Sequence, residues 1–327
     1  MKGAVERLKT LLFYYFENTF EGLFGNRLHI IPGDVTSEID PTIKTDTLIN
    51  CAAIVKHFAE GTEIEDVNVG GAQHCIDYCL ATGAKMIQIS TASTRGMTVN
   101  GVPAPGKIFN EERLYMGQYL GNKYILSKFL AERMVLEAVA TKGLVAKIMR
   151  VGNLAPRSTD GEFQVNFQTN SFMGRLKVYN MLGCCPFESR DLTVEFSPIN
   201  EVAKAIVTLS STPKECVVFH PYNNHNVLFG DVLSELRHIG EGVKFVEIDK
   251  FSKALDEAKE DPTKAKQLSS LLAYQNMAKG QKSSDVLRQN AYTMQVLYRL
   301  GFSWSVTSWD YVDRFITAIE GLGFFDA

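Results

Sequence analysis

Through its first half the chain alternates short apolar runs with longer amphipathic stretches, and this alternation narrows the fold more than any other feature. Strands that bury both faces read as unbroken apolar runs, whereas the helices covering them carry a helical period. The pattern therefore points to an α/β chain built on a parallel sheet. "RLHIIPGDV" (27–35), "TLINCAA" (47–53), "KMIQIS" (85–90) and "LVAKIMRV" (144–151) are the predicted buried strands. "EIEDVNVGGAQHCIDYCLATG" (63–83) reads as a helix ended by glycine, and a further helix carries "YILSKFLAE" (124–132). Before it runs a polar loop with Gly96, Gly101, Pro103, Pro105 and Gly106. Its length, about twenty residues or more, is one that in compact domains marks a lid or binding loop.

After "GNLAPR" (152–157) the alternation fades. From about residue 226 helices dominate, with "VKFVEI" (243–248) as a lone strand and amphipathic stretches at 250–259, 263–279, 283–300 and 307–321. "TVEFSPINEVAKAIVTLS" (193–210) reads as a return to the sheet. The expected organisation is a first domain over 1–157, with 193–219 returning to it, and a second, mostly helical domain over 158–327 that closes over the first.

Composition removes several classes of function. The 327 residues are 45% hydrophobic, enough to bury a large core. A formal net charge of −3 with 22% charged residues gives no basic excess to follow a phosphate backbone, so nucleic acid is not an expected partner. No apolar run approaches the roughly 20 residues needed to span a bilayer, and the charges within "MKGAVERLKTLLFYYFENTF" argue against a signal peptide, so a cytoplasmic location is expected. The six cysteines lack the paired spacing of a zinc site. Cys75 and Cys79, beside His74, have no plausible fourth ligand, so free thiols and no metal are expected.

Chemistry concentrates in two short stretches. Tyr124 and Lys128 are four apart, so on a helix both project from one face and can meet one ligand. A neighbouring ammonium favours phenolate, which would draw the tyrosine pKa down from about 10 towards the range where proton transfer is efficient. The same spacing recurs at Tyr119 and Lys123, so spacing alone cannot choose between the copies. "STAST" (90–94) directly follows a predicted strand, where a hydroxyl at the carboxyl edge of a parallel sheet can hydrogen-bond an oxygen gaining negative charge. A polar loop whose hydroxyls cap the next turn is the alternative.

Taken in order, "GDV" (33–35), "NCAA" (50–53), "VNVGG" (67–71), "STAS" (90–93), "YILSK" (124–128) and "RVGN" (150–153) resemble the extended short-chain dehydrogenase/reductase family. "INCAAIVKHF", "ISTAS", "YILSKFLAE", "FSPINEVAKAIV" and the closing "LGFSWSVTSWDYVDRFITAIEGLGFF" are most similar to the thioester reductase domains of nonribosomal peptide synthetases and carboxylic acid reductases. The resemblance covers nearly the whole chain and implies a Rossmann-like doubly wound parallel sheet. It implies Tyr124 as proton donor, Lys128 on the nicotinamide ribose and Thr91 on the carbonyl oxygen, with Ser90 beside it in the cofactor site. It also places Asp34 and Val35 at the adenine, Cys51, Ala52 and Ala53 along the dinucleotide path, and Gly152, Asn153 and Leu154 at the nicotinamide side. Asn68 would brace the central strands. Cys51 stands where many relatives have asparagine. "YLGNK" (119–123) lacks the serine before its lysine and reads as structural.

NADPH is the cofactor the resemblance implies, and a phosphopantetheinylated carrier protein bearing an acyl or peptidyl thioester is the partner. The family's opening Gly-x-x-Gly-x-x-Gly turn, whose amides receive the pyrophosphate, has no counterpart here: "GLFGN" (22–26) precedes a strand, and "VGG" (69–71) sits in or near a helix. A shortened piece of a larger synthetase and a natural remnant that has given up hydride transfer both fit, and cofactor affinity is expected to be poor. The competing functions are a sugar-nucleotide epimerase or dehydratase and a non-catalytic carrier-docking module.

Overall fold

The computed structural model describes residues 2–55, 61–96, 98–167, 170–236, 242–265, 268 and 286–325. It divides into two compact units, 1–88 with 130–146 and 89–129 with 147–327.

In the first unit, helix α1 (Lys2–Phe16) precedes strand β1 (Thr47–Asn50). β1 runs parallel to the start of β2 (Lys85–Thr91), with Thr47 opposite Lys85 and Asn50 opposite Gln88. That last pair is buried, and its amides satisfy each other, Asn50 Nδ2 donating to Gln88 Oε1 at 3.0 Å. The crossover between the strands is helical throughout 63–82: Glu63–Glu65, a π-turn over Asp66–Gly70, then α2 (Gly71–Thr82). It stops where Gly83 takes a φ of 79° and its N–H closes on the Cys79 carbonyl at 2.9 Å, a left-handed cap that a residue without Cβ adopts freely. α2 turns Ala72, Cys75, Ile76, Tyr78 and Cys79 inward. Burial pushes the Cys75 thiol up to about 11 and that of Cys79 to about 12, so both stay protonated and behave as apolar filling.

One predicted strand is absent. Residues 27–35 form no strand beyond a single bridge at Leu28 and are largely exposed. An apolar run becomes a strand only where a neighbour takes its backbone hydrogen bonds. Among the described residues none does so here, and Pro32 has no N–H to offer.

In the second unit, β3 (Ala146–Val151) and β4 (Val218–Phe219) are parallel, Ile148 opposite Val218, and the strands of the sheet follow the order β1-β2-β3-β4. All six residues of β3 are buried, as a central strand requires, although two are cationic. Lys147 Nζ donates to the carbonyls of Pro213 and Cys216, both at 2.9 Å. Arg150 Nη1 donates to the Arg113 carbonyl at 2.8 Å and to His220 Nε2 at 3.0 Å. Burial and the Arg150 charge press His220 down to about 3, so the ring is neutral; Nε2 accepts from the arginine and Nδ1 donates to the Gln289 carbonyl at 2.8 Å. These bonds tie the ends of β3 and β4 together.

The segment between β2 and α3 (Lys123–Lys142) is a packed loop. Gln118 Nε2 donates to the carbonyls of Thr94 and Leu114, and its Oε1 accepts from Met116 N–H. Val99, Ala104 and Phe109 pack with Val286 beneath it. Ile108–Phe109 also pairs in parallel with Leu287–Arg288.

Helices α4 (Ser171–Leu182), α5 (Ile199–Ser210), α6 (Phe229–Glu235), α7 (Ile248–Glu260), α8 (Ala291–Arg299) and α9 (Trp309–Gly321) make up most of the remainder. Met173, Leu176, Val178 and Tyr179 of α4 enter the same core as Phe196, Phe229, Phe251 and Phe315. The predicted lone strand appears as Lys244–Val246, paired in parallel with Cys184–Pro186. The amphipathic stretch predicted at 263–279 lies mostly outside the described residues. No helix among the described residues is long and apolar enough to cross a membrane.

Phe315 is fully buried, with rings of Phe196 and Tyr311 at 5.5 and 5.8 Å. Phe315→Ala should lower unfolding stability by about 3–5 kcal/mol, read as a fall in the urea midpoint at unchanged slope.

Candidate active site

β2 ends on Thr91, which delivers that side chain to the carboxyl edge of the parallel sheet. Thr91 caps the short 3₁₀ turn Ala92–Arg95, its hydroxyl oxygen accepting from Ser93 N–H at 3.1 Å. Helix α3 begins at Lys123, and the Asn122 side chain caps it by accepting from Ile125 N–H at 3.1 Å, so Tyr124 stands in the first turn. The Tyr124 phenol shares a hydrogen bond with the Thr91 hydroxyl. Two hydroxyls from separate stretches of chain thus meet where one substrate oxygen could receive both. Lys128, one turn further along α3, is buried and donates from Nζ to the Ile89 carbonyl of β2 at 2.6 Å. Ser90, also buried, lies between them in sequence.

The tyrosine is not tuned in the expected direction. Burial raises the Tyr124 phenol above its ordinary value, and only the Thr91 hydrogen bond acts against that rise. The group is accordingly a neutral phenol at physiological pH, a donor of protons. The second Tyr-x-x-x-Lys copy is not comparable, because Tyr119 precedes α3 and is exposed.

Gly152, Asn153 and Leu154 follow β3 in the same unit. Asn153 N–H lies 2.9 Å from Oε2 and 3.1 Å from Oε1 of Glu195, a buried carboxylate that also accepts from Ser197 Oγ and from Arg288 Nη1 at 3.0 Å. A Cβ on Gly152 would lie 2.6 Å from Tyr222 Cβ and against Glu195, so only glycine lets the chain pass. Leu154 is exposed and pairs with Ser197 in a short parallel ladder.

The other candidate residues belong to the first unit. Asp34 is exposed, and its carboxylate accepts from Thr36 N–H at 2.9 Å and Thr36 Oγ1 at 2.8 Å, bonds that lower its pKa. The Val35 carbonyl faces His74 Nδ1 at 2.9 Å, and the Val35 side chain fills the place a Cβ on Gly71 would need. Cys51 and Ala52 are exposed and Ala53 half-buried in the segment after β1. Asn68, inside the π-turn, accepts from Ile54 N–H at 2.8 Å and donates to the Ile54 carbonyl at 3.0 Å. It holds the loop beyond β1 in shape, a task for which the π-turn aims its amide.

Sequence reasoning missed Glu195, Arg288 and Tyr222, which pack around Gly152. Arg288 and Glu195 are 93 residues apart, and no local motif announces such a pair. The one available signal was a charged residue, Glu195, set between the apolar Val194 and Phe196.

A parallel α/β sheet with a threonine, tyrosine and lysine at its carboxyl edge defines a nicotinamide-binding oxidoreductase of Rossmann-like fold. The chain belongs to the NAD-binding family described as male sterility protein, matched over residues 2–206. It is 28% identical over 264 residues to the L-2-aminoadipate reductase large subunit of Candida glabrata, covering 73% of this chain and 19% of that protein. It is 35% identical over 122 residues to the rat (Rattus norvegicus) 3 beta-hydroxysteroid dehydrogenase type 7, covering 35% of each. The chain thus spans only a fifth to a third of the curated relatives it matches. Among solved structures, the thiolation-reductase di-domain of an archaeal non-ribosomal peptide synthetase superposes with a TM-score of 0.84 at 34% identity, over 98% of this chain and 68% of that one. The reductase domain of the aureusimine biosynthetic cluster shares the fold, with a TM-score of 0.82 at 23% identity, over 99% and 82%.

Two outcomes follow from the geometry. Gly152→Ala should force Glu195 and Tyr222 apart and lower stability by about 1–3 kcal/mol in chemical denaturation. Thr91→Val removes the bond that favours phenolate, so the Tyr124 ring carbon signal, followed by NMR with labelled tyrosine, should titrate at a higher pH than in the wild type; a lower value would contradict the shared hydrogen bond.

Proposed function

We propose that the chain serves NADPH-dependent reductive release of an acyl or peptidyl thioester, held on the phosphopantetheine arm of a carrier protein, as an aldehyde. The observation that supports this most is the shared hydrogen bond of Thr91 and Tyr124, with Lys128 one turn away, in a chain of this family. The residues present suit a nicotinamide ribose: Lys128 offers an ammonium, and Asn68 holds the loop that Cys51, Ala52 and Ala53 belong to. Bound there, the reduced nicotinamide supplies hydride.

Thr91 and Tyr124 hydrogen-bond the carbonyl oxygen as it gains negative charge, which stabilises the transition state more than the ground state. Tyr124, kept neutral by burial, gives its proton to that oxygen. The thiohemiacetal then loses the pantetheine thiol and leaves an aldehyde. Asp34 and Val35 serve the adenine end, Ser90 supports the sheet edge, and Asn153 and Leu154 line the nicotinamide side. In this reading residues 1–157, with 193–219, carry the cofactor, and the helical remainder receives the acyl chain and the carrier.

The test is a carrier-bound acyl thioester with NADPH, following cofactor oxidation and trapping the aldehyde. Tyr124→Phe should reduce turnover by roughly 10²- to 10⁴-fold while leaving carrier binding intact. Carrier binding without any cofactor oxidation by the wild type would replace this reading with a docking role.

A further inference from the structure

Gln118 lies in the packed loop between β2 and α3, and no sequence motif marks it. Its residue is 3% exposed, and both polar atoms of its amide are bonded. Nε2 donates to the Thr94 carbonyl at 3.1 Å and to the Leu114 carbonyl at 2.8 Å, while Oε1 accepts from Met116 N–H at 2.7 Å. Two carbonyls and one N–H admit a single orientation of the amide, with its nitrogen on the carbonyls.

These bonds join the two stretches that carry the hydroxyls of the site. Thr94 belongs to the turn that Thr91 caps, and its own hydroxyl donates back to the Thr91 carbonyl at 3.0 Å, so holding Thr94 holds Thr91. On the other side, the short run from Gln118 to Tyr124 is braced step by step. Tyr119 N–H donates to the Thr98 carbonyl at 2.9 Å, a Cβ on Gly121 would overlap the Tyr119 ring, and Asn122 caps α3 just before Tyr124. A displacement of Gln118 therefore reaches Tyr124 with little between them to absorb it.

The backbone is shaped to bring Gln118 this close. Gly96 has a φ of 67°, and a Cβ there would lie 2.8 Å from Gln118 Cβ and 2.8 Å from the Tyr119 carbonyl oxygen, so conformation and space both call for glycine. Val99 forms a bridge with Gln118, and Asn100 N–H donates to the Gly117 carbonyl at 2.7 Å. That backbone pairing lies beyond the turn; the Gln118 side chain is what reaches back to the turn itself. A buried amide is a costly way to fill space, since an apolar side chain needs no partners. Its directional bonds fix distances as apolar contacts do not. The distance fixed here separates the turn of Thr91 from the start of α3.

We propose that Gln118 is a positioning residue of the reductase site: its side chain sets the separation of Thr91 and Tyr124, and with it the convergence of their two hydroxyls on one substrate oxygen. The inference rests on the thioester-reductase reading above for its chemistry, whereas the pairing of the hydroxyls can be measured without substrate.

The experiment compares Gln118→Met, Thr91→Val and the double variant, each checked for folding by circular dichroism. With labelled tyrosine, the ring Cζ signal of Tyr124, identified by its loss in Tyr124→Phe, reports the hydrogen bond to the phenol. Gln118→Met should move that signal in the same direction as Thr91→Val does, and should move it no further in the double variant. With a carrier-bound thioester and NADPH, Gln118→Met should lower kcat roughly 10- to 100-fold, the loss that misplacement by about an ångström brings, while KM changes less than about three-fold. In the Thr91→Val background the same substitution should cost less than about three-fold, because the pairing it protects is already gone. Gly96→Ala crowds Gln118 without removing its bonds; it should shift the Tyr124 signal in the same sense, and it decides the matter if Gln118→Met does not fold. An unmoved Tyr124 signal, a shift that adds to that of Thr91→Val, or losses of turnover that multiply in the double variant would overturn the assignment. If the wild type reduces no thioester, the reductase reading fails, and the carbon signal alone upholds or removes the role of Gln118.

Discussion

A single buried carboxylate organises the carboxyl edge of the sheet. Glu195 joins the backbone after β3, the Ser197 hydroxyl and the guanidinium of Arg288, which the Ile108–Phe109 ladder holds in place. A buried anion is tolerable only when such partners surround it, so its environment is as strictly specified as that of any apolar core residue. Gly152 exists in that form because the carboxylate and Tyr222 leave no room for a side chain.

The hydroxyls of Thr91 and Tyr124 are fixed by a different principle. Thr91 is held by the cap it forms on the following turn, and Tyr124 by the capped first turn of α3. Neither depends on long side chains finding each other in solvent. Burial keeps Tyr124 neutral, which suits a proton donor that must not ionise before substrate arrives. Lys128, anchored on the Ile89 carbonyl, is held close to the same strand. In the proposed reaction, pre-set geometry of this kind would favour the transition state because little reorganises when charge develops.

Much of this is legible in the sequence. The strands at 85–90 and 144–151, the helix that ends at Gly83 and the helix bearing Tyr124 all follow from local periodicity and stop signals. The pairing of Thr91 with Tyr124 was legible only because their flanking motifs resemble a known family, since spacing within one segment cannot say that two segments meet. Residues 27–35 were misread for a corresponding reason: the run has strand composition, but a strand is a relation between two backbones. The direction of the Tyr124 shift was misjudged because a nearby lysine in sequence says nothing about how deeply the phenol is buried.

By itself the sequence determined the α/β class, the order of the elements, the family and the chemical types at the sheet edge, because periodicity, capping residues and short motifs act over a turn or two of chain. Only the tertiary structure decided that Glu195 would be shared among residues from three segments and that Cys75 and Cys79 would be inert. Those outcomes depend on burial and on distances between residues far apart in the chain, and electrostatic energy in a low-dielectric interior is set by such distances rather than by composition.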